Sequence, residues 1–231
     1  MKKFSLRQIQ PIWILMAVTC VAITVTAVIF GQSWFRMVPL YVSLIIAVLQ
    51  SRASRYAPLM GGINSLWYAV VYWSLSLYGS AAYALLVSCP IQLLTFIRWS
   101  RHAYKHSTEF RRMTTKQRLL VAVGMVVSFS VLYIILAAAG SGYQILDNAS
   151  TLMGILVSFL TMLAFIEYAY LGIVSGIISI ALNLQMTLAE PAQITYLIFS
   201  VYSFICVTRA FFYVRKLYQE QQIMKNQQQS I

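Results

Sequence analysis

Long apolar runs alternate with short polar stretches along this chain, and the runs are of one size. A bilayer core of about 30 Å is crossed by about 20 helical residues. Eight stretches are candidates, at about 11–30, 36–51, 58–77, 80–99, 119–139, 147–166, 170–188 and 192–213. The second is the shortest. The third and fourth are separated only by a turn at Tyr78, Gly79 and Ser80. The pattern predicts an all-α polytopic membrane protein of about eight transmembrane helices. Lys2, Lys3 and Arg7 precede the first run, as in a signal peptide. That run is longer than the roughly 7–15 residues of a signal core and has no clear small-x-small cleavage site. It reads as a retained helix.

Spacing suggests an internal repeat. Runs two to four start near 36, 58 and 80, and runs six to eight near 147, 170 and 192. The single run 119–139 lies between the triplets, so both triplets enter the membrane from the same side and are parallel. Residue identity at this offset is poor, and the repeat is one of spacing. The organisation that follows is 1–35 as a basic segment with an extra helix, 36–100 as the first triplet and 101–118 as a basic loop. A linking helix at 119–139, a second triplet at 147–213 and a tail at 214–231 complete it. The tail, rich in Gln, is expected to be a short frayed extension.

Charge orients these spans. Only 10% of the 231 residues are charged and 60% are hydrophobic, far from a soluble composition. With the N-terminus inside, sixteen of the seventeen Lys and Arg fall at inner ends, and only Arg36 falls outside. Both termini are then cytoplasmic. The net charge of +12 is explained by orientation and by anionic membrane lipids, not by nucleic acid. Cys20, Cys89 and Cys206 lie in apolar runs and read as packing residues. His102 and His106 have no third ligand nearby and read as a solvated face. No metal, cofactor or catalytic residue is indicated.

Chemistry is sparse. There is no phosphate loop and no hydrolase or deaminase motif. Glu109, Asp147, Glu167, Glu190 and Glu220 all fall in loops, tails or helix ends. Proton-driven carriers commonly hold an ionisable relay within the membrane. Its absence here points to passive, facilitated movement of a weakly charged solute by a non-enzymatic protein. An amide in hydrocarbon needs a partner. Asn64, Trp67, Tyr68 and Val71 share a helix face, which could stack a flat heterocycle and read its edge. Gln92, Thr95 and Trp99 make a second polar-aromatic face, and Pro39 and Pro90 are candidate kinks or gates. Ser175, Ser179 and Asn183 follow at successive helical steps, and Tyr196, Ser200 and Ser203 line the last span. Each has a plainer alternative. Asn64 can bond a neighbouring helix, Ser175 and Ser179 their own carbonyls, and Trp34, Tyr78 and Trp99 can anchor at the interface. Tyr196 and Tyr202 can be packing, and Gly172 with Gly176 can serve close helix contact.

The stretch "GGINSLWYAVVYWSLSLYGSAAYALLVSCPIQLLTFIRWSRHAYKH", from Gly61 to His106, resembles the PnuC-type vitamin transporters. Gly-Ile-Asn before aromatics, Leu-Tyr-Gly, Pro-x-Gln and a Trp with basic residues carry the likeness. "LDNASTLMGILVSF" adds Asp147, Ser150 and Thr151 at a helix start. The resemblance spans about residues 36–216. It implies two parallel three-helix bundles joined by one helix, like a full-length SWEET transporter. It implies facilitated uptake of an unphosphorylated vitamin, nicotinamide riboside first, with thiamine, riboflavin or a deoxynucleoside as alternatives, followed by trapping through a cytoplasmic kinase. It also implies a homo-oligomer, a trimer, in the cell membrane. Asn64, Trp67 and Gln92 match positions of the family's substrate region. Two departures stand out: Gly176 in "VSGIISI", where the family has Asn, and Glu167-Tyr168, where it has basic residues. A reading from another class is a membrane sensor or assembly partner using the basic loop.

Overall fold

The computed structural model describes residues 11–74, 84–138 and 144–229. The N-terminal basic segment and the turn expected at Tyr78–Ser80 lie outside the described residues. Among those described there are eight α-helices: α1 Pro11–Ile29, α2 Trp34–Gln50, α3 Tyr56–Ser74, α4 Cys89–Arg101, α5 Thr115–Ala138, α6 Gln144–Met162, α7 Glu167–Ala189 and α8 Ile194–Gln229. A π turn, Ala84–Ser88, leads into α4, and a 3-10 turn, Pro191–Gln193, leads into α8. Five of the helices are long and apolar enough to cross a membrane. The protein is an all-α, multi-pass membrane protein.

Helices α2, α3 and α4 pack on one another in chain order, and so do α6, α7 and α8. Two interfaces, α2 with α8 and α4 with α6, join the groups. Helix α5 packs mainly on α6, where Asn148 Nδ2 donates to the Phe129 carbonyl at 2.8 Å. Most of its other described side chains are exposed, as apolar residues are when lipid is the solvent. Helix α1 wedges against α2 and α8. Ile12, Ile23 and Ala27 of α1 bury themselves with Leu40, Leu44, Val48 and Cys206. Tyr202 completes that core and donates its hydroxyl to Leu44 O at 2.9 Å.

The α2–α3 and α6–α7 connections are built alike. Ala53 and Ala164, 111 residues apart, both take the left-handed conformation, with φ of 47° and 57°. Ser54 N donates to Leu49 O and Ala53 N to Gln50 O; Phe165 N donates to Leu160 O and Ala164 N to Thr161 O. These are the paired bonds of a Schellman cap, which satisfy the last carbonyls of a helix. Glycine usually fills the left-handed position; here alanine holds it twice, each methyl buried in the core.

Two expectations are corrected. Residues 214–229 are not a frayed tail but the continuation of α8, which runs for 36 residues. Its Gln, Glu and Lys residues form helix well, and the extension is anchored. Gln221 is buried and donates Nε2 to Thr108 O at 3.0 Å, while its Oε1 accepts from Phe110 N at 3.0 Å. Both partners belong to the basic loop, which folds into a hairpin of β1, Ala103–Tyr104, and β2, Ser107–Thr108. Lys105 at its tip meets Glu220 at 2.7 Å, and this hydrogen bond, opposed by slight desolvation, raises the ammonium pKa above its ordinary value. Nearby Arg111 is shifted downward, first by burial and then by Arg98. The second correction concerns Trp99. It is not an interface anchor but a core residue, 2% exposed, and donates Nε1 to Thr161 O at 2.8 Å.

Candidate functional site

Polar side chains in the first group of helices form a seam through α3. Pro39 cannot donate to the Phe35 carbonyl four residues back. Trp67 Nε1 takes that freed acceptor at 3.4 Å, with the two rings 6.0 Å apart. One turn later Ser43 Oγ donates to Pro39 O at 2.8 Å. Asn64, 6% exposed, donates Nδ2 to Pro39 O at 3.0 Å and to Ser43 Oγ at 2.9 Å. The amide hydrogens of Asn64 are thus spent in tying α3 to α2. Toward α4, Gln92 Nε2 donates to Ser65 Oγ and Ser88 Oγ, each at 3.1 Å. Ser65 and Ser88 also bond each other at 2.9 Å. Gly61 makes this possible: a Cβ there would overlap Gln92 Oε1. Pro90 lies just after the π turn that carries Ser88, where the missing N–H leaves the helix free to widen.

Gln92 also lines a cavity of about 160 Å³ between the two helix groups, with Gln50, Pro58, Thr95, Ser158 and Thr161. A second cavity of about 120 Å³ adjoins it, sharing Gln50, Pro58, Val157 and Thr161 and reaching Ser54, Trp99 and Tyr168. Together they follow the axis between the groups. An aromatic cluster stands at the basic end: Trp99 meets Phe110 edge-on at 5.7 Å, and Tyr168 lies 6.3 Å from Trp99 and 6.0 Å from Phe110. The Gln221 bond to Phe110 N holds that cluster from behind.

Of the residues singled out in the sequence, Gln92 and Thr95 line the first cavity, and Trp99 and Gly172 line the second. Asn64 and Trp67 sit together at the α2–α3 contact, with Trp67 43% exposed; Tyr68 is half-buried beside them. Ser175, Ser179, Asn183 and Tyr196 line neither cavity. Asn183 donates to Ser179 O at 2.8 Å within α7. Ser175 is half-buried one turn earlier and Tyr196 is exposed at the start of α8. The intervening face of α7 serves packing: a Cβ on Gly172 would touch Val207, and one on Gly176 would press on Phe204 at 2.7 Å. Gln50, Ser54, Ser158 and Thr161 were missed. A polar residue closing each of two matched apolar runs, Gln50 on α2 and Thr161 on α6, was the signal available for them.

The sequence model of the nicotinamide mononucleotide transporter family matches residues 33–215. The chain belongs to that family. It is 29% identical over 182 residues to the nicotinamide riboside transporter PnuC of Neisseria mucosa, covering 75% of this chain and 67% of the relative. It is also similar to the crystal structure of the vitamin B3 transporter PnuC, with a TM-score of 0.62 and 25% identity over 87% of this chain and 90% of that one. The matched region begins at the start of α2 and leaves α1 outside. The chain is a membrane protein of a transporter family.

Proposed function

We propose that the protein is a uniporter that imports a nucleoside-like vitamin, nicotinamide riboside first, by facilitated diffusion across the cell membrane. The substrate passes unchanged and is trapped by phosphorylation in the cytoplasm, the side to which the basic residues and both termini are assigned. The relatives' named substrates support this reading. One observation carries it here: the cavities lie between two helix groups whose caps and cross-contacts repeat, where alternating access would place a substrate site. Neither cavity reaches the roughly 300 Å³ at which small-molecule pockets begin. Binding therefore requires the groups to part, and the aromatic cluster closes the basic end meanwhile.

Gln92 is the residue we assign to the substrate's polar edge, with Thr95, Ser158 and Thr161 around it. Asn64 and Trp67 hold α2 against α3 and set the shape of the site; Tyr68, Ser175, Ser179, Asn183 and Tyr196 complete the set proposed from the sequence. The test is uptake by purified protein in liposomes without an ion gradient, offering nicotinamide riboside, thiamine, riboflavin and deoxynucleosides separately. Nicotinamide riboside should equilibrate across the bilayer, and Gln92→Ala should abolish this while the protein stays monodisperse. Uptake that requires a sodium or proton gradient, or full activity of Gln92→Ala, would overturn the reading.

A further inference from the structure

A second concavity lies apart from the axis, at the basic end. It has a volume of about 540 Å³ and is bordered by the start of α7, the basic loop, the start of α5 and the extension of α8. Three guanidinium groups line it: Arg112 from the loop, Arg118 from α5 and Arg215 from α8. Its one acid, Glu167, is already engaged. It meets Arg118 Nη2 at 2.8 Å and accepts from Met113 N at 3.1 Å. Among the described residues neither Arg112 nor Arg215 has a carboxylate partner. Two guanidinium charges from different elements thus face one cleft without a carboxylate partner of their own. Tyr170 and Tyr218 also line it.

We propose that this cleft binds a phosphate group. Arginine is the side chain best suited to that task, since its planar fork matches two phosphate oxygens at once. The surroundings point to the source. Leu119 and Leu120 follow Arg118 directly, and Phe212 precedes Arg215 by one turn; all three are highly exposed apolar side chains. A belt of apolar surface beginning where the arginines end is the profile met by an anionic lipid, headgroup in the cleft and acyl chains along α5 and α8. The site is independent of the transport reading, and its test needs no uptake.

The full chain in detergent is titrated with phosphatidylglycerol, with phosphatidylcholine and with inorganic phosphate, and bound species are counted by native mass spectrometry. The wild type should bind phosphatidylglycerol more tightly than phosphatidylcholine. Arg112→Gln with Arg215→Gln should weaken phosphatidylglycerol binding by about tenfold or more and leave phosphatidylcholine unchanged. Binding of inorganic phosphate, lost in the same double variant but without a lipid preference, would keep the phosphate site and assign it to a soluble ester. Equal binding of both lipids with no phosphate bound would overturn the proposal, as would a folded double variant that binds like the wild type. Should that variant not fold, Arg112→Lys with Arg215→Lys keeps the charge and loses the fork. It should bind phosphatidylglycerol more weakly than the wild type, and unchanged affinity would again overturn the site.

Discussion

Gln221→Ala is the sharpest probe of the closure proposed for the basic end. The substitution removes the buried amide that receives Phe110 N–H and donates to Thr108 O, both at 3.0 Å. Phe110 and Thr108 are themselves 2% and 1% exposed, so their backbone groups have no ready replacement. A buried polar group left unpaired costs about 1–3 kcal/mol. Two such groups near the membrane surface, where water enters most easily, give about 2–4 kcal/mol against the closed arrangement. If the open arrangement lacks this contact, its share rises by about 30-fold at the low end of that range. The readout is access to the axis. A cysteine at Ala57, which lines the second cavity, is introduced into a chain whose native cysteines are alanine. Inside-out vesicles are then treated with an impermeant maleimide. Gln221→Ala should label at least about tenfold faster than the parent. Gln221→Glu keeps the acceptor for Phe110 N–H and loses the donor to Thr108 O, so it should fall between the two. A folded Gln221→Ala protein that labels at the parental rate would refute the idea that α8 holds the aromatic cluster shut.

Three further outcomes follow from the packing. Gly61→Ala should displace Gln92 from Ser65 and Ser88, abolish uptake and lower stability by about 1–2 kcal/mol; uptake at the wild-type rate would remove Gln92 from the site. Gly176→Ala pushes on the Phe204 ring and should lower stability by about 1–3 kcal/mol, read as a lower melting temperature in detergent. Trp99→Phe keeps a ring beside Phe110 but loses the bond to Thr161 O, and should cost about 1 kcal/mol by the same measurement.

The spans were legible because lipid demands about twenty apolar residues at every crossing, and that signal is local. The site was less legible because its key feature is which helix faces which. Asn64 was visible as an amide in an apolar helix, yet its partners Pro39 and Ser43 lie on another helix, and only the fold shows that its hydrogens are spent there. Gln92 was legible for a related reason, its place one turn before Thr95 and two before Trp99. Trp99 misled because an aromatic beside Arg98 and Arg101 has the composition of an interface anchor. Phe110 and Thr161, which bury it, come from elsewhere in the chain. The tail misled for the converse reason: Gln-rich sequence is polar enough to fray, and one buried contact from Gln221 offsets that tendency.

The two alanine caps give the basic loop its mechanical meaning. His106 O accepts from Arg55 N at 3.1 Å, two residues past the first left-handed alanine. Arg111 O accepts from Ile166 N at 2.9 Å, two residues past the second. One loop therefore pairs its backbone with the equivalent position of both helix groups, five residues apart along itself. Parting the groups at this end must stretch that span or break one of the pairings. The Gln221 contacts to Thr108 and Phe110 fall between the two attachment points, where they fix the loop at the length that suits the closed arrangement. A latch placed there acts on both groups at once, which is why a single amide on α8, outside the family-matched region, is expected to control access to a cavity it does not line.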